Sequence, residues 1–416
     1  MKQLIHYSFL LLALLLSATA TAHDFEVDGV YYKINGNEAA VTFKGSDYYS
    51  YDNEYSGPVV IPTTVTYNGT TYPVTSIGEY AFFRCNGLTS IDIPNSVTSI
   101  GQSAFERCIG LTSIAIPNSV TEIDEYVFYG CTGLTSVVIP NSVTSIGHHA
   151  FEGCSGLTSI DIPNSVTSIG ASAFFGCSGL TSMVIPNSVT SIGSGAFQEC
   201  RGLTSIVIPN SVTSIGYWMF YGCTGLTSIV IPNSVTSIDD FAFSWCTGLT
   251  SIDIPNSVTS ISSYAFADCS GLTSIVIPNS VTSIGECAFS GCWGLTDVYC
   301  YIADLSKVSI GFGQFSLGYD DYSGRTLHVL KGKADDYRAD GNWYPYFGQI
   351  IDDLKPDVPG DVNGDGEVNI ADVNAVINII LSGNGSTTAA DVNGDGEINI
   401  ADINTVIDII LNGARN

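Results

Sequence analysis

The stretch IPNSVTSIGQSAFERCIGLTSIA, Ile93 to Ala115, decides the fold because it recurs almost unchanged along the chain. The tripeptide Ile-Pro-Asn marks each copy, and its proline returns every 23 residues from Pro94 to Pro278. A fixed period of this length is typical of solenoids, in which each repeat packs only against its neighbours. Ordering a single repeat costs more free energy than its few buried side chains return, so only the stacked array is expected to fold.

The letters of one repeat, called a rung below, predict a strand followed by turns. In LTSIDIP, Leu88 to Pro94, Ile91 and Ile93 alternate with polar residues as in a half-buried strand, and the strand ends at the proline. The AFERC segment predicts a short helical turn with Phe105 and Cys108 facing the core. Each rung therefore contributes a small set of inward-facing apolar side chains.

The repeated stretch LTSIDIPNSVTSIGQSAFERC resembles the leucine-rich repeat of the BspA type, which is found in bacterial surface proteins. Ten in-phase units carry the resemblance, from the rung of Cys85 to the rung of Cys292. It implies a right-handed, β-rich leucine-rich-repeat solenoid with short helical turns and a parallel sheet on its concave face. We expect the repeats to occupy residues 85–300, between an N-terminal cap with an entry repeat at 23–84 and a C-terminal cap at 301–352.

The C-terminal tail contains two acidic loops, GDVNGDGEVNIAD at 360–372 and ADVNGDGEINIAD at 390–402. Oxygen-bearing side chains or carbonyls at loop positions 1, 3, 5, 7, 9 and 12 suit Ca²⁺. The predicted metal ligands are Asp361, Asn363, Asp365, Glu367, Asn369 and Asp372 in the first loop, and Asp391, Asn393, Asp395, Glu397, Asn399 and Asp402 in the second. The twelfth position is Asp rather than the Glu of an EF-hand, and two prolines in the linker 353–359 prevent a leading helix.

These two loop–helix halves resemble a type I dockerin, a small all-α module, over residues 360–416. The resemblance implies two bound Ca²⁺ ions and a cohesin module of a scaffold protein as the partner. A helical stripe of Ile370, Val373, Val376, Ile377, Ile380 and Leu381 predicts the core of the module. A second face, predicted to bind cohesin, contains Ile370, Ala371, Ala375, Ile379, Ile400, Ala401, Thr405 and Ile409. The alternative for this face is packing between the two helices. Because the halves are nearly identical, docking in two orientations is a further hypothesis.

Ten of the twelve cysteines recur at the same place in successive rungs. Parallel side chains at equivalent positions have poor geometry for disulfides, and free cysteine is a good small core residue. We therefore expect a ladder of buried thiols. Cys287 and Cys300 depart from the repeat, so a disulfide, if present, is expected there.

The N-terminus predicts a secretory signal peptide at residues 1–22, with Lys2, an apolar core and an Ala-Thr-Ala cleavage site. Cleavage removes one of the 13 basic residues, which leaves 12 basic and 40 acidic side chains and a net charge of −28. Nucleic acid and anionic lipid are poor partners for such a chain, whereas metal cations are suitable ones. We expect a secreted or cell-surface protein without membrane insertion.

No catalytic constellation is visible in the sequence, and His148 and His149 are expected on the solvent-exposed surface. Two candidate ligand-binding surfaces stand out. One is the outward strand position of three adjacent rungs, which holds Val184, Val207 and Val230. The other is a local aromatic group of Tyr217, Trp218 and Tyr221. For the valines, ordinary strand preference is an equally good explanation.

The sequence thus predicts an exported, non-catalytic binding protein. Its solenoid is expected to bind an extracellular protein or glycan, as in cell adhesion, and its dockerin to attach it to a cohesin-bearing assembly. The alternative is a carbohydrate-binding accessory subunit of a cellulosome-like complex for polysaccharide catabolism. A protease regulator is a third possibility without direct support.

Overall fold

The computed structural model describes residues 22–45, 47–48, 53–313, 315–316, 324–355, 360–362, 368–382, 390–395 and 397–413. The predicted signal peptide up to residue 21, and the two prolines of the linker, lie outside these residues. The chain forms two compact units, Met1–Ser165 and Val166–Asn416, which are described separately.

The first unit begins with a small mixed sheet that covers the start of the repeats. Its strands are β1 (Phe25–Val27), β2 (Val30–Asn35), β3 (Glu38–Thr42), β5 (Thr64–Tyr67) and β6 (Thr70–Ile77), whereas β4 (Ser56–Val60) pairs in parallel with the first repeat strand, Gly87–Asp92. Strands β1 to β3 form an antiparallel meander, and β3 pairs in parallel with β6. Strand β6 then pairs in parallel with the first short strand of the repeats, so the cap continues into the array.

The repeats of the first unit each supply two short strands. These are β7 (Gly87–Asp92), β8 (Ser99–Ile100), β9 (Ser113–Ala115), β10 (Glu122–Ile123), β11 (Ser136–Val138) and β12 (Ser145–Ile146). The pairing is parallel and joins residues 23 apart, for example Ser113 with Ser136. The register of the sheet therefore equals the period of the sequence.

The second unit continues the same pattern. Its repeat strands are β13 (Ser168–Ile169), β14 (Ser182–Val184), β15 (Ser191–Ile192), β16 (Ser205–Val207), β17 (Ser214–Ile215), β18 (Ser237–Ile238), β19 (Ser260–Ile261), β20 (Ser274–Ile277), β21 (Ser283–Ile284), β22 (Asp297–Cys300) and β23 (Ser309–Ile310). Strands β17, β18, β19, β21 and β23 form one parallel sheet. Both units thus confirm the predicted β-rich repeat solenoid.

The core of each unit is built from columns of identical side chains. The phenylalanine rings of the AFERC segments stack nearly parallel, with centroids 5.0 Å apart for Phe82 and Phe105 and 5.7 Å apart for Phe197 and Phe220. The AFERC segment is a turn whose main chain also bonds to the next rung, since the Phe105 amide donates to the Val127 carbonyl. Neighbouring rungs therefore satisfy polar groups that one rung alone would leave unpaired.

The predicted thiol ladder is confirmed, because all ten repeat cysteines are buried thiols that form no disulfide. The Cys223 thiol donates to the Phe197 carbonyl at 3.1 Å, and the same bond recurs along the column. Burial raises the pKa of Cys200 and Cys246 to about 12. Cys287 and Cys300 are free as well; Cys300 is buried, with its sulfur 3.1 Å from the Tyr337 hydroxyl.

A C-terminal cap closes the repeats of the second unit. It contains β24 (Thr326–Leu330), β25 (Gln349–Leu354), the helix α1 (Ala334–Ala339) and short 3-10 turns at Leu305–Lys307 and Tyr344–Tyr346. The Arg325 guanidinium is buried here and donates to the carbonyls of Cys292, Leu295 and Phe315 at 2.9–3.0 Å. One cation therefore satisfies three carbonyls at the end of the array.

Two positions in most rungs adopt left-handed backbone, with φ between +53° and +71° in the repeats. One precedes the repeat cysteine and is glycine in five rungs, including Gly222, but Trp245 in another. The other lies two residues before the stacked phenylalanine and is glycine at Gly195 and Gly313. There the rungs carry larger side chains instead, such as Tyr126 and Trp218.

The dockerin-like tail contains two helices, α2 (Ile370–Ser382) and α3 (Ile400–Gly413). Each follows one acidic loop, as predicted. Its core is the cluster of Val373, Val376 and Val406, surrounded by partly buried residues from both loops and both helices. Among the described residues, no helix has the length and apolar character needed to cross a membrane.

Candidate calcium module and ligand-binding faces

The second acidic loop is folded around its own side-chain oxygens. The Asp395 amide donates to Asp391 Oδ1 at 3.0 Å and to Asn393 Oδ1 at 2.8 Å. The Glu397 amide donates to Asp395 Oδ1 at 2.9 Å. Turns of this kind arise because short Asp and Asn side chains bond to amides two residues ahead. They bring the side chains at loop positions 1, 3 and 5 together.

Asp402, at position 12, connects the loop to helix α3. Its carboxylate is fully buried and accepts hydrogen bonds from the amides of Asn393 at 3.1 Å and Asn399 at 2.8 Å. The Asn399 side chain in turn accepts from the Ala401 amide at 2.7 Å, in the position of a helix N-cap. Buried carboxylates are stable when paired or bound to a cation. The donor set of hard oxygens at this loop fits Ca²⁺.

The first loop repeats the part of this arrangement that the structure describes. Asp372 is fully buried and accepts from the Asn369 amide at 2.9 Å, and Asn369 Oδ1 accepts from the Ala371 amide at 2.8 Å. Asp361 is half-buried at the start of the loop. The predicted ligands Asn363, Asp365 and Glu367 lie outside the described residues.

The second loop also touches the repeats of its own unit. Asn233 Nδ2 donates to Asp391 Oδ2 at 3.1 Å, and Asn210 Nδ2 donates to the Asp395 carbonyl at 2.6 Å. Both asparagines belong to the Ile-Pro-Asn motif of successive rungs. A scaffold side chain therefore contacts a predicted metal ligand, which the repeat sequence alone does not indicate.

The helices of the tail carry exposed apolar residues at equivalent positions. Ile370 and Ile400 are 68% and 71% exposed, and Leu381 and Leu411 are exposed as well. The prediction that Ile370, Ile380 and Leu381 belong to the core is wrong, because all three are exposed. The core is filled near the helix starts by valines and isoleucines of the loops, so the last turn of α2 extends past it.

The remaining residues of the predicted cohesin face differ in exposure. Ala371 is exposed, whereas Ala375, Ile379, Ala401, Thr405 and Ile409 are half-buried. Gly360 lies so close to Ile409 that a β-carbon added there would be 3.0 Å from the Ile409 δ-carbon. Thr405 donates its hydroxyl to the Ala401 carbonyl at 2.9 Å. Ile370 and Ile400 are thus the most accessible apolar residues of this face.

The three predicted strand valines form a continuous exposed strip in the second unit. Val184, Val207 and Val230 are 57–69% exposed, and parallel pairing places Val184 beside Val207 and Val207 beside Val230. The strip ends at Asp253, which pairs with Val230. Three adjacent apolar side chains on a flat sheet can contact a partner surface.

The predicted aromatic group is part of a longer column. Tyr217 and Trp218 are exposed, whereas Tyr221 is half-buried. Trp218 stacks on Phe241 with centroids 6.0 Å apart, and Phe241 stacks on Tyr264 at 4.8 Å. Ring faces that stack on each other are unavailable to a ligand, so the interior of this column presents mainly ring edges.

His149 does not lie on an open surface as expected. It is half-buried, stacks on Tyr126 with centroids 4.7 Å apart, and places Nδ1 2.5 Å from Glu152 Oε2. All three residues line a cavity of about 430 Å³ in the first unit. The sequence signal for this site is the series of residues at one repeat position, 23 residues apart. This position holds Tyr80, Ser103, Tyr126 and His149, so one small residue stands among three ring-bearing ones.

Comparison with known proteins identifies both parts of the chain. The BspA type leucine rich repeat region matches residues 64–181 and 167–296, and the dockerin type I domain matches residues 359–411. No curated protein matches the chain.

Several solved structures are similar to this chain. A leucine-rich repeat protein from Bacteroides ovatus is 30% identical, with a TM-score of 0.62 over 80% of this chain and 89% of that one. A leucine rich cell surface protein from Faecalibacterium prausnitzii is 26% identical over 82% of this chain and 96% of that one, with a TM-score of 0.43. The pneumococcal vaccine antigen PcpA is 17% identical over 81% and 99%, with a TM-score of 0.48.

Type I dockerins bind calcium and attach proteins to cohesin modules, and leucine-rich repeats act as binding scaffolds. The family match covers residues 64–296, more than half of the 416 residues. The chain belongs to the BspA-type leucine-rich repeat proteins and carries a type I dockerin domain at its C-terminus.

Proposed function

We propose that this chain is an exported, non-catalytic binding protein whose repeats bind an extracellular protein or glycan and whose dockerin attaches it to a cohesin-bearing assembly. The dockerin match behind the repeat array is the observation that carries this proposal. A module that only attaches needs a cargo, and the array offers exposed binding surfaces rather than a catalytic constellation. The predicted signal peptide supports export.

The tail binds two Ca²⁺ ions in this proposal, one in each loop, through the twelve predicted ligands. Calcium acts as a folding ligand, because the three ligand carboxylates in each loop repel one another without a cation. Far-UV circular dichroism of the full chain, titrated with calcium after chelation, tests this. A gain of helix with a stoichiometry of two supports the proposal, and unchanged helix in chelator contradicts it.

The cohesin surface is centred on Ile370 and Ile400 in this proposal. They occupy equivalent positions 30 residues apart, and so do the exposed Leu381 and Leu411. Because the two loop–helix halves present equivalent faces, the module can dock on cohesin in either of two orientations, one through each half. Each face alone is then sufficient for binding.

Substitutions at the two faces test the cohesin surface. We expect Ile370→Asp or Ile400→Asp alone to change cohesin affinity less than about threefold, and the double variant to lose at least about 100-fold. Asn187→Asp, an exposed change in the repeats that adds one negative charge outside the tail, is the control. Full binding by the double variant, with its calcium-dependent helix intact, would exclude this surface.

The valine strip is the proposed surface for a protein ligand of the array. Val207→Lys places a charge in the middle of the strip without touching the core, because its side chain is exposed. Host matrix proteins and a glycan array, probed with the parent and with this variant, separate the protein-binding function from the carbohydrate-accessory alternative. Ligand capture unaffected by Val207→Lys would remove the strip from the proposal.

A further inference from the structure

A gap in a column of aromatic rings forms the cavity of the first unit. Tyr48 stacks on Tyr80 with centroids 3.8 Å apart, and Tyr126 stacks on His149 with centroids 4.7 Å apart. The rung between Tyr80 and Tyr126 carries Ser103 at the same position. Tyr80 and Tyr126 therefore each have one face covered by a neighbour, and both line the cavity above the buried serine.

The residues that carry these rings have a left-handed backbone conformation, which is unfavourable for residues other than glycine. Tyr80, Tyr126 and His149 have φ of +57°, +58° and +57°. Left-handed backbone costs an L-residue about 1–2 kcal/mol, a cost that glycine avoids. Stacking of the covered faces offsets part of it. The same position is left-handed in the other rungs as well, so the backbone turn belongs to the repeat and only the side chain that it carries is particular to the cavity.

The width of the gap suits a puckered ring better than a flat one. Two rungs at about 4.8 Å each place the planes of Tyr80 and Tyr126 about 10 Å apart. A flat ring in contact with both faces at about 3.5–4.0 Å needs only about 7–8 Å. A pyranose chair, with hydrogens projecting from both of its faces, is thicker and fills the difference. The cavity volume of about 430 Å³ lies in the range of small-molecule sites.

Polar side chains surround the two rings. Gln102, Glu106, Arg107 and Glu152 line the cavity, and each has a planar end with paired donors or acceptors. Such ends can bond to two neighbouring hydroxyls at once. The Arg107 guanidinium lies 5.8 Å from the centre of the Tyr129 ring, and the His149 contact holds Glu152. These contacts limit the motion of both polar groups before a ligand binds.

The charge of the lining restricts the ligand further. Two carboxylates face one guanidinium, so a phosphate or an acidic sugar would meet net repulsion. A neutral polyol has no such penalty. The apolar ring faces and the polar rim together match the two C–H faces and the hydroxyl edge of a neutral sugar.

We propose that this cavity binds one neutral pyranose unit of an extracellular glycan between Tyr80 and Tyr126, with its hydroxyls bonded to Gln102, Glu106 and Arg107. The inference rests on the proposed function, since it names the class of one ligand of the array. It concerns a different surface from the valine strip and is independent of the dockerin.

The experiment uses the full chain with calcium and a panel of neutral oligosaccharides of glucose, xylose, mannose and galactose. Isothermal titration calorimetry is expected to find at least one that binds with a Kd below about 1 mM. Tyr126→Ala is expected to weaken that binding at least tenfold. Ser103→Tyr closes the gap and is expected to abolish binding while the thermal midpoint is retained, because neighbouring rungs accept tyrosine at this position.

Ser172→Tyr is the matched control. Ser172 occupies the same left-handed position in a rung of the second unit and does not line the cavity. It is expected to leave sugar binding unchanged. If Ser103→Tyr fails to fold, the comparison of Tyr126→Ala with the parent still decides, with circular dichroism as the check on folding.

Three results would overturn the inference. The first is that no panel sugar binds at 10 mM, which is about ten times the expected limit. The second is that sugar binding survives both Ser103→Tyr and Tyr126→Ala. The third is that the site prefers N-acetyltryptophanamide to every sugar. The last result would assign the gap to an aromatic side chain of a protein partner. Cohesin affinity of the same variants is measured in parallel, because its retention separates failure of the sugar site from failure of the proposed attachment.

Discussion

The buried thiol column predicts that this protein unfolds in mild alkali. Burial raises the pKa of Cys200, Cys246 and Cys292 from 9.0 to about 12, and it raises those of Cys223 and Cys269 well above 9.0. The unfolded chain therefore loses thiol protons at a pH where the folded chain keeps them. The stabilisation is complete below about pH 9 and is lost as the pH rises towards 12.

The size of the effect follows from the number of thiols. At pH 10, a thiol with a pKa of 9 in the unfolded chain and about 12 in the folded chain lowers the free energy of unfolding by about 1.4 kcal/mol. The three thiols whose pKa is about 12, Cys200, Cys246 and Cys292, together lower it by about 4 kcal/mol, a large part of the stability of an ordinary domain, and Cys223 and Cys269 add to this loss. At pH 11 the loss is about twice as large.

Urea unfolding followed by far-UV circular dichroism, from pH 7.5 to 10.5 in a reducing buffer, measures this dependence. We expect the double variant Cys200→Ala, Cys246→Ala to lose about 2.5 kcal/mol less per pH unit than the parent near pH 10, because both thiols have a folded-state pKa of about 12. Because tyrosine ionisation is common to both proteins, it cancels in the difference. Val235→Ala, which shortens a fully buried side chain that carries no titratable proton, is the control with an unchanged slope. Equal slopes for parent and double variant would refute the reasoning.

Three further predictions concern the cap, the turns and the calcium loops. Arg325→Met removes the guanidinium donor from three buried carbonyls and is expected to destabilise the second unit by about 3–5 kcal/mol in urea unfolding. Arg201→Met, at a surface ion pair, should cost under about 1 kcal/mol. Trp245→Gly relieves left-handed backbone at φ +62° and should raise stability by up to about 1 kcal/mol; a lower thermal midpoint would contradict this. Asp402→Asn should weaken calcium binding to the second loop at least about tenfold in a circular dichroism titration, and Glu397→Gln, where the ligand is the main-chain carbonyl, should not.

The fold of the repeats was predictable because every rung places the same apolar residue types at the same positions in its core. Cys223 and Phe220 lie inside since each is one member of a column, and a column is visible in the sequence as a 23-residue recurrence. Arg325 was not predictable, because it occurs once, outside the repeats, and a buried cation contradicts ordinary expectation.

The cavity was missed for a different reason. Nothing in the residue types Tyr80 and Tyr126 indicates positive φ, which is usually associated with glycine or asparagine. The sequence showed a serine among aromatic residues. The gap between the ring faces becomes visible only when the backbone conformation, which aligns these side chains in a column, is known. The exposed Leu381 was misplaced because helical periodicity gives the direction of a side chain, whereas its burial depends on where the partner residues end.

The left-handed position has a consequence for how such arrays diversify. Each rung offers one place where a bulky residue closes the column and a small one opens it, and the neighbouring rungs supply the walls. A single codon change, or the duplication of one repeat, can therefore create, delete or shift a recess by a fixed step without altering the hydrogen bonds that hold the rungs together. Under the proposed sugar binding, specificity would follow from the spacing of such recesses along the array, and the core would not need to be redesigned.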